Sequence, residues 1–164
     1  METVAVYAEH PIRVYGLKAE PGLCLVSAES AAGGWSETAA ALAKFEGSLQ
    51  IKYIGTEWEA ERVIFRACLP SLQAARLEGV FKEAGLALTG QARKVHLIHL
   101  QGPHFGDRYG LAAAALGSLE EAGLEPLAVG GAVHSLFLAV QPADSEATLK
   151  ALAKNFSDKE PQGG

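Results

Sequence analysis

Laid side by side, residues 23–85 and 95–156 carry the same succession of signals, and this internal repeat constrains the fold more than any other property of the chain. Each copy opens with a short apolar run, Leu23–Ala28 or Val95–Leu100, which alternation and flanking turn residues mark as a strand. Each run then meets a Gly-bearing loop, 29–34 or 101–107, followed by an Ala-rich helical stretch, Trp35–Leu42 or Tyr109–Leu116. A hairpin comes next. In the first copy it joins Leu49–Ile54 to Arg62–Leu69 through a charged connection, Thr56–Glu61. In the second it joins Glu125–Val129 to Val133–Val140 through Gly130-Gly131, a pair suited to tight hairpin turns. A proline, Pro70 or Pro142, precedes the second helix of each copy. In Ser71–Ala84 the residues Leu72, Ala75, Leu77, Val80 and Phe81 trace one face, and Gly85 supplies the stop. The matching helix is expected over Asp144–Phe156, and a last strand, Leu86–Thr89, returns after Gly85.

Strand, helix, strand, strand, helix, strand is the ferredoxin-like split arrangement, with an antiparallel sheet and both helices on one face. Two copies predict an α+β protein of two such βαββαβ units, the alanines permitting close approach of helix to sheet. The expected division is 1–90 for the first unit, 91–156 for the second and 157–164 for a disordered polar tail. Two additional strands, Val4–Tyr7 and Ile12–Leu17, precede the repeat. The first unit's opening strand aligns to either Ile12–Leu17 or Leu23–Ala28, and the second choice preserves the repeat length.

Composition removes several functions. Hydrophobic residues are 49% and charged residues 20% of 164, which is the balance of a folded chain. A net charge of -5 without a Lys/Arg cluster argues against nucleic acid as a partner. There is no basic leader and no apolar run of bilayer length, so a cytoplasmic protein with no membrane partner is expected. Cys24 and Cys68 sit in apolar runs and read as free core thiols.

The second copy is similar to a known family on specific residues: Arg93–Gly102, the Ala-rich helix ending Leu119-Glu120-Glu121-Ala122-Gly123-Leu124, the Gly130-Gly131 hairpin, Leu136–Val140, and Ala147–Leu152 with Phe156. With Glu20-Pro21-Gly22 near the start, the chain resembles the tandem ACT-domain region of aspartokinases, including its free-standing regulatory subunit, over nearly its whole length. The resemblance implies an amino-acid-binding regulatory module that works as a homodimer and modulates an enzyme partner. Departures are visible too. Gly102–Gly106 stands where a Pro-Gly pair before the helix is usual, and Val129–Ala132 stands where aspartokinases carry Ser/Thr and Glu near effector sites.

A strand-to-helix loop offers free backbone N–H groups and a helix N-terminus to a carboxylate. The ligand-binding candidates are therefore Glu29, Ser30, Gly34 and Trp35 in the first copy, and Gly102, His104, Gly106, Asp107 and Arg108 in the second. His104 or Arg108 would meet the carboxylate of an effector, and Asp107 its amine while also capping the helix. The bland alternative is a pair of exposed polar loops, with Trp35 and Tyr109 as packing aromatics. His96 and His99 lie three apart on one strand and face opposite ways, so they do not make a metal site. No phosphate loop, nucleophile motif or cofactor signature is present, and no catalysis is expected. Two rivals remain: a ligand-free scaffold subunit, and a small isomerase- or cyclase-type enzyme using His104 and Asp107 as an acid/base pair.

Overall fold

The structure is a computed structural model that describes residues 11–31, 49–59, 61–103 and 105–157, together with 36, 39, 40 and 43. The described strands are β1 (Ile12–Arg13), β2 (Gly16–Ala31), β3 (Tyr53–Glu59), β4 (Arg62–Pro70), β5 (Ala87–Leu88), β6 (Arg93–Gln101), β7 (Ala128–Ala132), β8 (Ser135–Val140) and β9 (Phe156–Ser157). The helices are α1 (Ala74–Glu83), α2 (Leu111–Glu121) and α3 (Ser145–Leu152). Ser36, Ala39 and Ala40, within the expected Ala-rich stretch, and Ala43 just beyond it are also helical.

The chain divides into two compact units: one takes Pro21–His96, the other takes Leu97–Gly164 together with the N-terminal stretch up to Glu20. Chain order had suggested a boundary at residue 90. In the Pro21–His96 unit, β2 pairs antiparallel with β4 from Leu23↔Pro70 to Ala31↔Arg62, β3 pairs with β4, and β5 lies on the other side of β2. That order, β5-β2-β4-β3, is the ferredoxin-like arrangement. The opening strand contains the expected Leu23–Ala28, yet it begins at Gly16 and absorbs part of the segment read as an extra strand.

The other unit has the order β2-β6-β8-β7. Here the start of β2 fills the edge position that a fourth strand of the repeat would take, which is why residues up to Glu20 belong to this unit. The fourth strand in chain order, β9, pairs parallel with β1 instead, Ile12↔Phe156 and Arg13↔Ser157. Asn155 fixes this joint. Its carbonyl accepts the Ile12 N–H at 2.7 Å, and its side-chain amide donates to Ser118 Oγ at 2.8 Å, which donates in turn to the Ala114 carbonyl. The helix expected to run to Phe156 therefore ends at Leu152, and Ser157 is strand, not tail. Residues 158–164 and the expected strand Val4–Tyr7 lie outside the described residues.

Each unit buries one face of its sheet beneath helices. Cys24, Val26, Ala28, Val63, Phe65, Ala67 and Leu69 form one core with Leu77, Val80 and Phe81 of α1. Ile98, Leu100, Leu136, Leu138 and Val140 form the other with Leu111, Ala115, Leu119 and Leu152. Both α1 and α2 close on a left-handed glycine, Gly85 (φ 78°) and Gly123 (φ 68°). In each case a residue beyond the glycine donates back into the last turn, Leu86 to Phe81 and Leu124 to Leu119 at 2.9 Å. Both cysteines are free and buried.

Three local readings change. The Gly130-Gly131 pair is strand, Gly130↔Phe137 and Gly131↔Leu136, and the turn is Val133-His134. Register follows the inward alternation of Leu136, Leu138 and Val140, because a one-residue slip would turn them out of the core. The charged connection 56–61 is mostly strand as well: Glu57 pairs with Arg66, and Arg62 Nε donates to Glu59 at 2.5 Å, so cross-strand ion pairs accommodate the charges. Finally, Ser71–Gln73 is a 3-10 turn. Its tighter winding shifts the helical phase, so Ala74 is buried while Ala75 is exposed and Leu72 is 99% exposed. Substituting the two leucines separates the readings: Leu77→Ala is expected to cost about 2–5 kcal/mol in urea unfolding, and Leu72→Ala to stay within about 0.5 kcal/mol of the parent.

Candidate functional site

The segment from Gly102 to Gly110 joins β6 to α2 within one unit. Gly102 is buried, and its N–H donates to the His134 carbonyl at 3.3 Å. A β-carbon at Gly102 would come within 2.7 Å of the Arg13 carbonyl oxygen and would strike the Phe105 ring, so only glycine fits. Phe105 is 6% exposed and anchors the loop in the core, at the start of a 3-10 turn over Phe105–Asp107. Gly106 packs on the hairpin turn, where an added β-carbon would sit 3.1 Å from the Val133 carbonyl oxygen. Arg108 is half-buried and Tyr109 is 93% exposed.

Helix α2 begins from Gly110, whose φ of 82° places it in the left-handed region. Gly110 is the N-cap, its carbonyl accepts the Ala114 N–H at 2.8 Å, and being glycine it brings no side chain to the cap. Asp107 is therefore not the cap expected from the sequence. The macrodipole favours negative charge at this end of α2. The structure brings Gly102, Gly106 and Arg108 into this one loop. His104 and the side chain of Asp107 lie outside the described residues.

The first copy differs. Glu29 and Ser30 are not in a loop: both are in β2, opposite Ile64 and Val63. Glu29 accepts from Arg62 Nη1 at 3.1 Å, and Ser30 Oγ donates to the Ala31 carbonyl at 3.0 Å. Gly34 and Trp35 lie outside the described residues. Trp58, expected in a turn, is on strand β3 and is 64% exposed.

One polar constellation was not anticipated. On the sheet face away from the helices, His99 Nε2 lies 3.0 Å from Ser135 Oγ, and the imidazole stacks on Phe137 with centroids 4.6 Å apart and planes at 13°. Burial pushes the His99 pKa down, Lys18 pushes it further the same way, and Glu20 opposes both. The signal lay in strand parity, since His99 and Ser135 both alternate with core residues, but pairing them needs the β6–β8 neighbourhood. Among the described residues, no group of three His, Cys, Asp or Glu is placed to hold a metal ion.

No protein-family model matches the sequence, and no curated protein matches it. Solved structures do match the fold. The ligand-free regulatory subunit of aspartate kinase from Thermus thermophilus superposes with a TM-score of 0.71 at 12% identity, over 88% of this chain and 99% of that one. The chain has the fold of an aspartokinase regulatory subunit. A C-terminal regulatory domain of aspartate kinase from Porphyromonas gingivalis gives a TM-score of 0.60 at 12% identity, over 85% of this chain and 95% of that one. Against E. coli aspartokinase III in complex with aspartate and ADP the TM-score is 0.66 at 18% identity, and the match spans 90% of this chain but 34% of that enzyme. The two ACT-like units expected from the sequence are thus met in architecture.

The half-buried His99 sets a pH dependence. A histidine whose folded pKa is lowered binds fewer protons when folded than when unfolded, so stability is full above the free histidine value of about 6.5 and declines as pH falls below it. Urea midpoints compared between pH 7.5 and 5.5 are expected to drop less for His99→Gln than for the parent chain.

Proposed function

We propose that this chain is a non-catalytic regulatory module that binds a small amino acid and modulates the activity or assembly of a metabolic enzyme. The observation that carries this reading is the end-to-end correspondence with a free-standing regulatory subunit of aspartate kinase, 99% of which is covered. The loop between β6 and α2 supports it with chemistry: a buried glycine, a half-buried arginine and a helix N-terminus can together hold a carboxylate. In this reading Gly102, Gly106 and Arg108 face the carboxylate, with His104 and Asp107 as the remaining polar groups of the loop. The first-copy candidates Gly34 and Trp35 would form a second, equivalent loop. Glu29, paired with Arg62, and Ser30, which lies on a strand, contribute less directly.

The same reading makes the chain a cytoplasmic homodimer with a separate enzyme as partner, and it needs no cofactor. A ligand-free scaffold subunit is the second reading. It is favoured by Val129–Ala132, where Gly130, Gly131 and Ala132 offer a ligand no side-chain hydrogen-bond groups. Backbone groups alone discriminate poorly between side chains.

A thermal-shift panel of the standard amino acids separates these readings, because a ligand bound only by the folded state raises the melting temperature by mass action. A rise with one or a few amino acids is expected, and a flat panel would favour the scaffold. Since Gly110 holds the cap position, Asp107→Ala is expected to abolish that rise while leaving the ligand-free melting temperature close to the parent's. A large loss of ligand-free stability with binding retained would contradict the assigned role of Asp107.

A further inference from the structure

The loop between β6 and α2 rests on two supports that meet at His99 and Ser135. On one side, β6 leads from His99 to Gly102 in three residues. On the other, β8 starts at Ser135, directly after the Val133-His134 turn. That turn is what holds the loop: the His134 carbonyl accepts the Gly102 N–H, and the Val133 carbonyl lies against Gly106. The contact between His99 Nε2 and Ser135 Oγ, at 3.0 Å, therefore ties the root of the loop to the root of the turn that carries it. Phe137, stacked on the imidazole, fixes the ring's plane against β8.

We propose that the His99–Ser135 pair is a proton-sensitive brace that sets the geometry of the 102–106 loop. With neutral imidazole, Nε2 either accepts the serine O–H or donates to it, according to tautomer. With imidazolium, Nε2 only donates, so Ser135 must accept and its own O–H must turn to another acceptor. Charge also enters a half-buried position. Of the groups facing the ring, β2 contributes Lys18, which repels that charge, and Glu20, which attracts it, while β8 contributes only the uncharged Ser135 and Phe137. Burial already holds the neutral form in favour, which places the change on the acid side of neutrality. If the loop binds an effector, as the proposed function has it, affinity becomes pH-dependent. The brace itself does not depend on that function.

The test uses the whole, ligand-free chain, so that it stands whether or not any amino acid binds. Proton NMR of the imidazole and of backbone amides is followed from pH 8 to pH 5. The His99 ring is expected to titrate with a midpoint below the free value of about 6.5. The amides of Gly102, Gly106 and Val133 are expected to move with that same midpoint. In His99→Gln this component is lost. In Ser135→Ala the His99 ring still titrates but the three amides no longer follow it, so this variant decides the matter if His99→Gln does not fold. Amides that keep the component in His99→Gln, or that follow His99 unchanged in Ser135→Ala, would overturn the proposal.

Discussion

Strand β2 is the element on which both units depend. It runs through sixteen residues, Gly16–Ala31, and supplies strand positions to both units in succession. Its first part gives an edge to the unit built on β6, β8 and β7, and its later part is the central strand between β4 and β5 of the other. The change-over falls at Pro21-Gly22. Proline there brings no N–H to a ladder, and Gly22 takes a φ of 79° that other residues avoid. Gly22 is also held from outside the strand, because its carbonyl accepts from Ser71 Oγ at 3.0 Å, and Ser71 in turn accepts from Cys24 Sγ at 3.3 Å. A short polar chain thus pins the strand where it passes from one unit to the next.

Much of this was legible from the residues. The duplicated order of elements fixes the fold class because hydrophobic periodicity and the glycine stops are local and strong. What could not be read locally was decided by pairing. Gly130-Gly131 carries a turn signal, yet the leucines of β8 need the core, and a glycine pair with no side chains to place accepts the register they set. The glutamates of 57 and 59 look like loop until Arg62 and Arg66 stand beside them. The segment Ile12–Leu17 had no partner in the repeat, and it finds two: Ile12 and Arg13 pair with β9, and the start of β2 takes the edge next to β6.

The candidate site shows the same split. Gly102 and Gly106 were picked out as turn glycines, and the structure gives each a reason, one against the Arg13 carbonyl and the Phe105 ring, the other against Val133. The helix cap was misassigned because Asp107 has the right chemistry but a 3-10 turn and Gly110 intervene. His99 and Ser135 were overlooked as a pair because they are far apart in sequence and neighbours only across two strands. The aspartokinase likeness was readable from layout, although little identity remains to carry it.

The pairing of Ile12 with Phe156 and the place of β2 beside β6 have a consequence for how the chain acquires its structure. The Pro21–His96 unit is continuous in sequence and can collapse as soon as it has left the ribosome. The other unit is split around it, and its closing contacts join the two extremes of the described chain. Contacts of such sequence separation form slowly, because their loop entropy must be met before they return any energy. When the inserted unit folds first, its residues leave the flexible loop that those closing contacts must bridge. Its continuity in sequence lets it fold before the interrupted unit, whose pairing of Ile12 with Phe156 waits for the last described residues of the chain.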